Sequence, residues 1–248
     1  MLCFFEASTR TELSFEMAGL RLGMAWSKVE PSGLSLQKGE SLRDTFQVLS
    51  HYKPDLFVVR HSVAYLPHAV SEWTGVPVIN AGDGINEHPT QALIDTFTLW
   101  KMNSKKRYSI AFFGDVFRSR VARSNLKIWK ALNWNVSVVD DGSENTKNFA
   151  KAFGIRVIPR RGIREADVIY CLRVQAERGS SYALSPLSNS DLSKKSKFMH
   201  AGPVVMGKDM LLELCERAHP QSLIHEQLKN SLPVREAILD EVLKRARA

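Results

Sequence analysis

The chain has 248 residues, of which 44% are hydrophobic and 24% are charged. This composition is typical of a globular protein and argues against global disorder, and the length suits one large domain or two small ones. A run of about 18 uncharged apolar residues is absent, so we expect no membrane insertion. The net charge of +8 favours anionic partners, but the Lys and Arg residues are scattered, and we expect no nucleic-acid binding.

Three cysteines and the start of the chain bear on the cellular compartment. Cys3, Cys171 and Cys215 are odd in number and form no Cys-x-x-Cys pair, which favours reduced thiols over disulfides or a zinc site. The apolar run at the N-terminus is too short for a secretory signal peptide. We therefore expect a cytoplasmic protein.

Strand-like and helix-like segments alternate along the chain. After a first apolar run, the strand candidates are residues 56–59, 76–79, 109–113, 136–139, 168–172 and 198–199. The helix candidates are residues 11–22, 40–51, 89–101, 120–132 and 233–245. The first helix carries Leu13, Met17 and Leu20 on one face. This βαβα order predicts an α/β protein built from doubly wound parallel sheets.

A polar stretch at residues 101–107 indicates the join of two domains, because it separates a long helix from a new strand. We assign residues 1–100 to a first domain, residues 101–230 to a second and residues 231–248 to a terminal helix. Ligands of open parallel sheets bind beyond the carboxyl ends of the strands. We therefore expect an active site in the cleft between the two sheets.

Arginines follow four of the predicted strands, as Arg10, Arg60, Arg120 and Arg173. Guanidinium groups match phosphate and carboxylate oxygens in pairs. For any one arginine a surface ion pair is the simpler interpretation, but the set predicts a site for a small polyanion.

The segment Ser8-Thr9-Arg10-Thr11 stands where the first strand gives way to a helix. Free backbone amides, hydroxyl groups and the helix dipole converge at such a point, which predicts a phosphate site. The pattern from Thr9 to Glu12 also fits a capping box. Both interpretations can hold together, because capping uses one side-chain oxygen.

A second candidate segment, His88-Pro89-Thr90-Gln91, opens a helix with Pro89 at its first position and His88 at the cap. A neutral histidine there can polarise a carbonyl oxygen, although a lone histidine is more often structural. The histidine spacings match no metal site, so we expect no metal. Nucleotide-binding glycine motifs are also absent, which disfavours NAD and ATP.

Five separated motifs resemble the catalytic chains of aspartate carbamoyltransferases. They are Phe4-Phe5-Glu6-Ala7-Ser8-Thr9-Arg10-Thr11, Val59-Arg60-His61, Asn80-Ala81-Gly82-Asp83-Gly84, His88-Pro89-Thr90-Gln91 and Leu172-Arg173-Val174-Gln175. The resemblance extends over the whole chain. It implies transfer of the carbamoyl group from carbamoyl phosphate to L-aspartate in pyrimidine synthesis, with no cofactor. It also implies that the first domain binds carbamoyl phosphate, the second binds aspartate, and the terminal helix packs on the first.

The resemblance assigns a role to each candidate residue. The residues that bind carbamoyl phosphate are Ser8, Thr9, Arg10, Thr11, Arg60, His88, Gln91 and the backbone carbonyls of Ala201 and Gly202. The residues that bind aspartate are Arg120, Arg173 and Gln175. The residues assigned to catalysis are Arg10, Thr11, Lys38, Arg60 and His88. Lys38 lies in a polar loop that the family extends into a neighbouring subunit's site, which implies a homotrimer; a regulatory chain or a dihydroorotase partner stays open.

Several positions depart from the family pattern. Glu12 replaces an arginine, Ala201 replaces the proline of His-Pro-Gly-Pro, Leu34 replaces a loop serine, and the family's opening helix is not matched. These departures leave open a catalytically weak paralogue with a structural or regulatory role. Ornithine carbamoyltransferase is a further alternative, disfavoured because it requires acids and a His-Cys-Leu-Pro stretch. A cis peptide bond at Pro203 is compatible with the sequence.

Overall fold

A computed structural model describes residues 1–30, 39–104, 106–174, 184–215 and 219–247 of the chain. These residues divide into two compact units. The first unit comprises Met1–Thr90 and Ser231–Ala248, and the second comprises Gln91–Asn230. The division falls two residues into the helix Pro89–Met102, whereas the sequence places the join after that helix.

Strands and helices alternate along most of the described chain. The strands are β1 (Leu2–Phe4), β2 (Lys28–Val29), β3 (Phe57–His61), β4 (Val78–Asp83), β5 (Ser109–Phe113), β6 (Asn135–Val139), β7 (Arg156–Ile158), β8 (Val168–Cys171) and β9 (Lys197–His200). The helices are α1 (Thr9–Arg21), α2 (Leu42–His51), α3 (Leu66–Thr74), α4 (Pro89–Met102), α5 (Arg120–Ala131), α6 (Glu144–Phe153), α7 (Leu212–Cys215) and α8 (Ile224–Arg247). Short 3₁₀ helices lie at Arg160–Glu165 and Asn189–Asp191.

The first unit is built on a parallel sheet of strand order β2-β1-β3-β4. Successive strand residues face opposite sides of a sheet. Accordingly, Leu2 and Val58 pack in one core with Phe15 of α1 and Leu239 of α8. Cys3, Phe57 and Val59 pack in the other core with Phe46 of α2 and Val70 of α3. The sheet is therefore covered by helices on both faces.

The second unit repeats this arrangement on a parallel sheet of order β7-β6-β5-β8-β9. Ile110 and Phe112 of β5 face a core that contains Trp129 of α5. The alternate residues, Ala111 and Phe113, face a second core that contains Leu214 of α7. Burying a side chain of the size of Phe112 contributes about 1.5–3 kcal/mol. The prediction of doubly wound parallel sheets is confirmed.

Serine caps fix the start of three helices. Oγ of Ser41 accepts a hydrogen bond from the Asp44 amide at 3.1 Å before α2. Ser119 does the same for Ala122 at 3.2 Å before α5. Ser143 caps α6 in the same way. Such caps contribute about 1 kcal/mol each, and the cap at Ser119 places Arg120 as the first residue of its helix.

The predicted strands agree with the structure to within a few residues, whereas some helices differ. The face of α1 that carries Leu13, Met17 and Leu20 is exposed, with 50%, 48% and 53% of each residue accessible. Its buried face instead contains Phe15 and Ala18. Apolar spacing correctly indicated a helix here, but the apolar face that it identified is exposed rather than buried.

The last helix is longer than predicted. It begins at Ile224, so Pro233 lies inside it rather than at its first turn. Proline has no amide hydrogen and leaves the carbonyl four residues earlier without its helical donor. That carbonyl belongs to Lys229, which is exposed, so water can replace the missing donor.

Candidate active site

The start of α1 follows β1 at the carboxyl edge of the first sheet. Ser8 is the N-cap residue, and its side chain makes no capping hydrogen bond. The predicted capping box from Thr9 is therefore wrong, because Thr9 already belongs to the helix. With no side-chain cap, the amides of the first turn retain their capacity to bind an anion. Arg10 is exposed and Thr11 is buried within this turn.

Glu12, the acid next to this segment, points to β2. Its Oε1 lies 3.5 Å from Nζ of Lys28, which also contacts Glu16 at 2.6 Å. The carboxylate of Glu12 therefore faces a lysine, which partly compensates its charge, and does not turn back to the cap of α1.

Arg60 lies near the end of β3, in register with Phe4 of β1. Its Nε is 3.6 Å from Oε2 of Glu6, and its Nη1 donates to the carbonyl oxygen of Ala81 at 3.4 Å. Only 15% of the side chain is accessible. Contacts from the segment after β1 and from β4 therefore hold this guanidinium group at the same sheet edge as the start of α1.

The loop after β4 is organised by Asp83, a residue to which the sequence assigned no separate role. Its buried carboxylate accepts hydrogen bonds from the amides of Tyr65 and Glu87 and from the side chains of Asn80 and Asn86, at 2.7–2.9 Å. This loop leads to His88, which is 6% accessible. These four donors, which lie before, within and after β4, fix the path of the backbone into α4.

His88 stands immediately before α4, as the sequence predicts. Its Nδ1 lies 3.3 Å from Oγ1 of Thr90. The other ring nitrogen, Nε2, is on the opposite edge of the imidazole. The first unit therefore brings Ser8, Arg60 and His88 to the ends of three adjacent parallel strands or to the loops that follow them.

In the second unit, Arg120 and Arg173 follow the neighbouring strands β5 and β8. Arg120 is 8% accessible at the start of α5, and Arg173 is half-buried two residues after β8. The two strands come so close at this edge that a Cβ on Gly114 would lie 2.3 Å from the carbonyl oxygen of Leu172. Gly114 also has a φ of +121°, which favours glycine.

Asp209 stabilises the backbone directly after Arg173 through a hydrogen bond. Its Oδ1 accepts from the Val174 amide at 3.0 Å, and its Oδ2 accepts from the Val205 amide at 2.7 Å. Oδ2 also lies 3.4 Å from Nε2 of His200. Burial raises the pKa of Asp209, but the nearby His200 and the hydrogen bonds from the Val205 and Val174 amides outweigh burial and hold the pKa below its ordinary value.

Ala201 and Gly202 follow β9, the strand next to β8. The amide of Gly202 donates to Nδ1 of His200 at 2.7 Å, and the Gly202–Pro203 bond is cis. Arg120, Arg173 and the backbone of Ala201 and Gly202 thus follow three adjacent strands, β5, β8 and β9, at the carboxyl edge of the second sheet.

Gln91 belongs to a buried hydrogen-bonded group centred on Asp95, which we call the Asp95 cluster. Its members are Gln91, Asp95, Asn125, Tyr170 and Gln227. Oδ1 of Asp95 accepts from Gln91 at 2.8 Å and from Gln227 at 2.7 Å, and Oδ2 accepts from Asn125 at 3.0 Å and from the hydroxyl of Tyr170. Sequence reasoning missed Asp95, although its spacing of four from Gln91 places both on one helix face.

Two predicted site residues, Lys38 and Gln175, lie outside the described residues, as does Leu34.

Among the described residues, no three His, Cys, Asp or Glu side chains come together as a metal site does. Within the same residues, none of the helices combines the length and apolar character that crossing a bilayer requires.

Comparison with known families gives a match at the N-terminal part of the chain. Residues 1–101 match the family described as "Aspartate/ornithine carbamoyltransferase, carbamoyl-P binding domain". Over 97% of its length, the chain is 38% identical to the aspartate carbamoyltransferase catalytic subunit of Solibacter usitatus and covers 84% of that protein. It is 37% identical to the corresponding subunit of Rhizobium johnstonii, with 97% and 79% covered.

Solved structures resemble the fold over nearly the whole chain. Aspartate transcarbamoylase from Trypanosoma cruzi, in complex with carbamoyl phosphate and aspartate, superposes with a TM-score of 0.79 at 27% identity, covering 96% of this chain and 82% of that one. Ornithine carbamoyltransferase from Pyrococcus furiosus superposes with a TM-score of 0.82 at 25% identity, again with 96% and 82% covered. The backbone is thus shared by enzymes that differ in their amine substrate.

Proposed function

This chain belongs to the aspartate carbamoyltransferase family, and we propose that it transfers the carbamoyl group of carbamoyl phosphate to the amine of L-aspartate. The products are N-carbamoyl-L-aspartate and phosphate, as in pyrimidine biosynthesis. The observation that carries the proposal is the set of arginines at adjacent strand ends in each sheet, Arg60 with the α1 start in the first and Arg120 with Arg173 in the second.

The phosphate group binds at the start of α1. Its amides carry no side-chain cap, and Ser8, Thr9, Arg10 and Thr11 add hydroxyl groups and a charge. Hydrogen bonds to charged groups contribute about 1.5–3 kcal/mol each. Arg60, held by Glu6 and Ala81, adds a second guanidinium group.

The carbamoyl carbonyl is polarised by His88 with Thr11 and Arg60. Because Nδ1 of His88 lies against Thr90, Nε2 is the candidate donor to the carbonyl oxygen. The amine nitrogen of aspartate then bonds to the carbamoyl carbon, the bond from that carbon to the phosphate oxygen breaks, and a proton passes from the amine nitrogen to the departing phosphate. The rate comes from alignment and from stabilising the oxyanion, since no nucleophilic side chain takes part.

The carbamoyl amide group is bound by Gln91 and the carbonyls of Ala201 and Gly202. The replacement of proline by Ala201 is compatible with this role, because the carbonyl belongs to the backbone. The position of that backbone is supported by the hydrogen bond from Gly202 to His200.

Aspartate is selected by its two carboxylates. Arg120 and Arg173 provide the guanidinium groups, and Gln175 completes the set. An ornithine side chain ends in a cation, which arginines at these positions would repel. These residues therefore favour aspartate, although the fold itself matches an ornithine enzyme equally well.

The assembly is a cytoplasmic homotrimer in which Lys38 of one subunit completes the site of its neighbour. The family resemblance supports this assignment. Sedimentation of the purified chain tests it, since a monomer at assay concentrations together with full activity would contradict shared sites.

A colorimetric assay of the purified chain with carbamoyl phosphate and L-aspartate tests the activity, with L-ornithine in a parallel reaction. We expect N-carbamoyl-L-aspartate and phosphate in equal amounts and no citrulline. Citrulline formation would show that the amine substrate is ornithine and not aspartate. Folded protein that yields neither product would overturn the proposed activity.

A further inference from the structure

We propose that Asp95 is the positioning residue that makes Gln91 selective for the carbamoyl amide group. The inference rests on the proposed function, because it concerns the carbamoyl end of the same substrate. It adds a residue that does not touch the substrate but determines which end of the Gln91 amide faces it.

The geometry of the Asp95 cluster requires Asp95 to be an acceptor. The residue has 0% accessibility, and four side chains donate to its two oxygens. Three of these donors are amide nitrogens, from Gln91, Asn125 and Gln227. A carboxylate has acceptors only, so each of these amides must turn its NH₂ group inward.

This inward orientation has a direct consequence for Gln91. With Nε2 committed to Asp95 at 2.8 Å, the outward atom is the carbonyl oxygen Oε1. The carbamoyl NH₂ group is a donor, so Oε1 is its complementary partner. If the Gln91 amide were flipped, its NH₂ group would face the carbamoyl NH₂ group, and the hydrogen bond between them would be lost.

The cluster also connects Gln91 to the strands of the second sheet. Tyr170 lies on β8, three residues before Arg173. Gln227 donates to Asp95 and accepts from the His200 amide at 3.0 Å, at the end of β9. Rotation of Gln91 is therefore opposed by a group anchored in the core rather than by a surface contact.

The oxygen of Asp95, and not its charge, provides the selection. In an Asp95→Asn variant, Oδ1 can still accept hydrogen bonds from Gln91 and Gln227, provided that the new Nδ2 faces Asn125. The Oδ1 of Asn125 is buried and accepts no hydrogen bond from the described residues, so a turned Asn125 amide can accept from that Nδ2. Alanine provides no acceptor at all.

Calorimetric binding of carbamoyl phosphate and of inorganic phosphate tests the proposal without requiring turnover. Both ligands share the phosphate site, but only carbamoyl phosphate carries the amide group. We expect Asp95→Ala to weaken carbamoyl phosphate binding about tenfold, the equivalent of one hydrogen bond, and to leave phosphate binding within about twofold. Asp95→Asn should retain the wild-type ratio of the two dissociation constants.

A double-mutant cycle tests whether Asp95 acts through Gln91. Gln91→Ala alone should weaken carbamoyl phosphate binding as Asp95→Ala does, and the double variant should bind no more weakly than Gln91→Ala alone. Asp191→Asn, which alters a carboxylate elsewhere in the same unit, is the matched control and should leave both dissociation constants unchanged. Asp95→Ser, shorter but still polar, replaces the alanine variant if that protein does not fold.

Equal weakening of both ligands by Asp95→Ala or Asp95→Ser would show a structural role and overturn the inference. So would additive effects in the double variant, unchanged binding, or a wild-type protein that does not distinguish the two ligands. Failure of the proposed function would give a different result. In that case the folded protein would bind carbamoyl phosphate but make no carbamoyl aspartate.

Discussion

The amide of Gly202 donates a hydrogen bond to Nδ1 of His200 at 2.7 Å, and this bond folds the backbone back on itself directly after β9. His200 is nearly inaccessible and lies beside Asp209. The histidine therefore holds the backbone at Gly202 through its ring nitrogen while remaining in the core.

His200→Ala should raise the KM for carbamoyl phosphate several-fold, because the Gly202 amide loses its acceptor and the neighbouring carbonyls lose their fixed position. His200→Asn is the control, since its side-chain oxygen can accept the same bond. Steady-state kinetics with saturating aspartate measure the effect. A similar KM in the two variants would contradict this role.

His88→Ala should lower kcat by about 10²–10³-fold, the typical cost of removing one oxyanion donor. Carbamoyl phosphate affinity should fall far less, because the phosphate contacts remain. Thr90→Val, which removes only the contact at Nδ1, should have a small effect. Comparable losses in turnover and affinity after His88→Ala would exclude a transition-state role.

Arg173→Ala should raise the KM for aspartate by at least about tenfold, because one charge-assisted carboxylate contact is lost. Carbamoyl phosphate binding should change little. Arg173→Lys should recover part of the loss, since it restores the charge without the paired donors. An aspartate KM equal to that of the wild type would refute the assignment.

Asp191→Asn should make the second unit less stable at neutral pH and remove part of its sensitivity to acid. Asp191 accepts from Nε and Nη2 of Arg160 at 2.8 and 2.6 Å and from the amide of Ser188. Burial raises the pKa of Asp191, but the bonds from Arg160 and Ser188 outweigh burial and lower the pKa overall.

Because the folded pKa lies below the unfolded one, the stabilisation is complete above about pH 4 and is lost as the pH falls through the folded value. The free energy of unfolding should therefore differ between wild type and variant by about 1.5–3 kcal/mol at pH 7. The difference should disappear in strong acid. Urea titrations at several pH values measure it, and a pH-independent difference would contradict the assignment.

The sequence predicted the strands that contain short buried runs, such as Val58-Val59 or Ile110-Ala111. Strands β2 and β7, which are largely exposed, were not predicted. Helix α6 was not predicted, since only Phe149, Ala150 and Phe153 face its core amid polar residues. The start of α8 was missed because proline normally marks a first turn, whereas Pro233 lies inside this helix.

The sequence predicts candidate site residues where a motif is contiguous, as in Ser8-Thr9-Arg10-Thr11 or His88-Pro89-Thr90-Gln91. The supporting carboxylates Asp83, Asp95 and Asp209 were not predicted, because each also accepts a hydrogen bond from a segment that is remote in sequence. Asp95 and Gln227, for example, are 132 residues apart. Their importance comes from the tertiary fold rather than from local pattern.

Because a Cβ at position 114 would collide with the carbonyl oxygen of Leu172, evolutionary selection at this position favours the one residue that has no Cβ. A library randomised at this codon and screened for growth without added pyrimidine should return glycine alone, even though position 114 contributes no side chain to the chemistry. Tolerance in such a screen would thus measure backbone spacing, a property that a search for reactive groups overlooks.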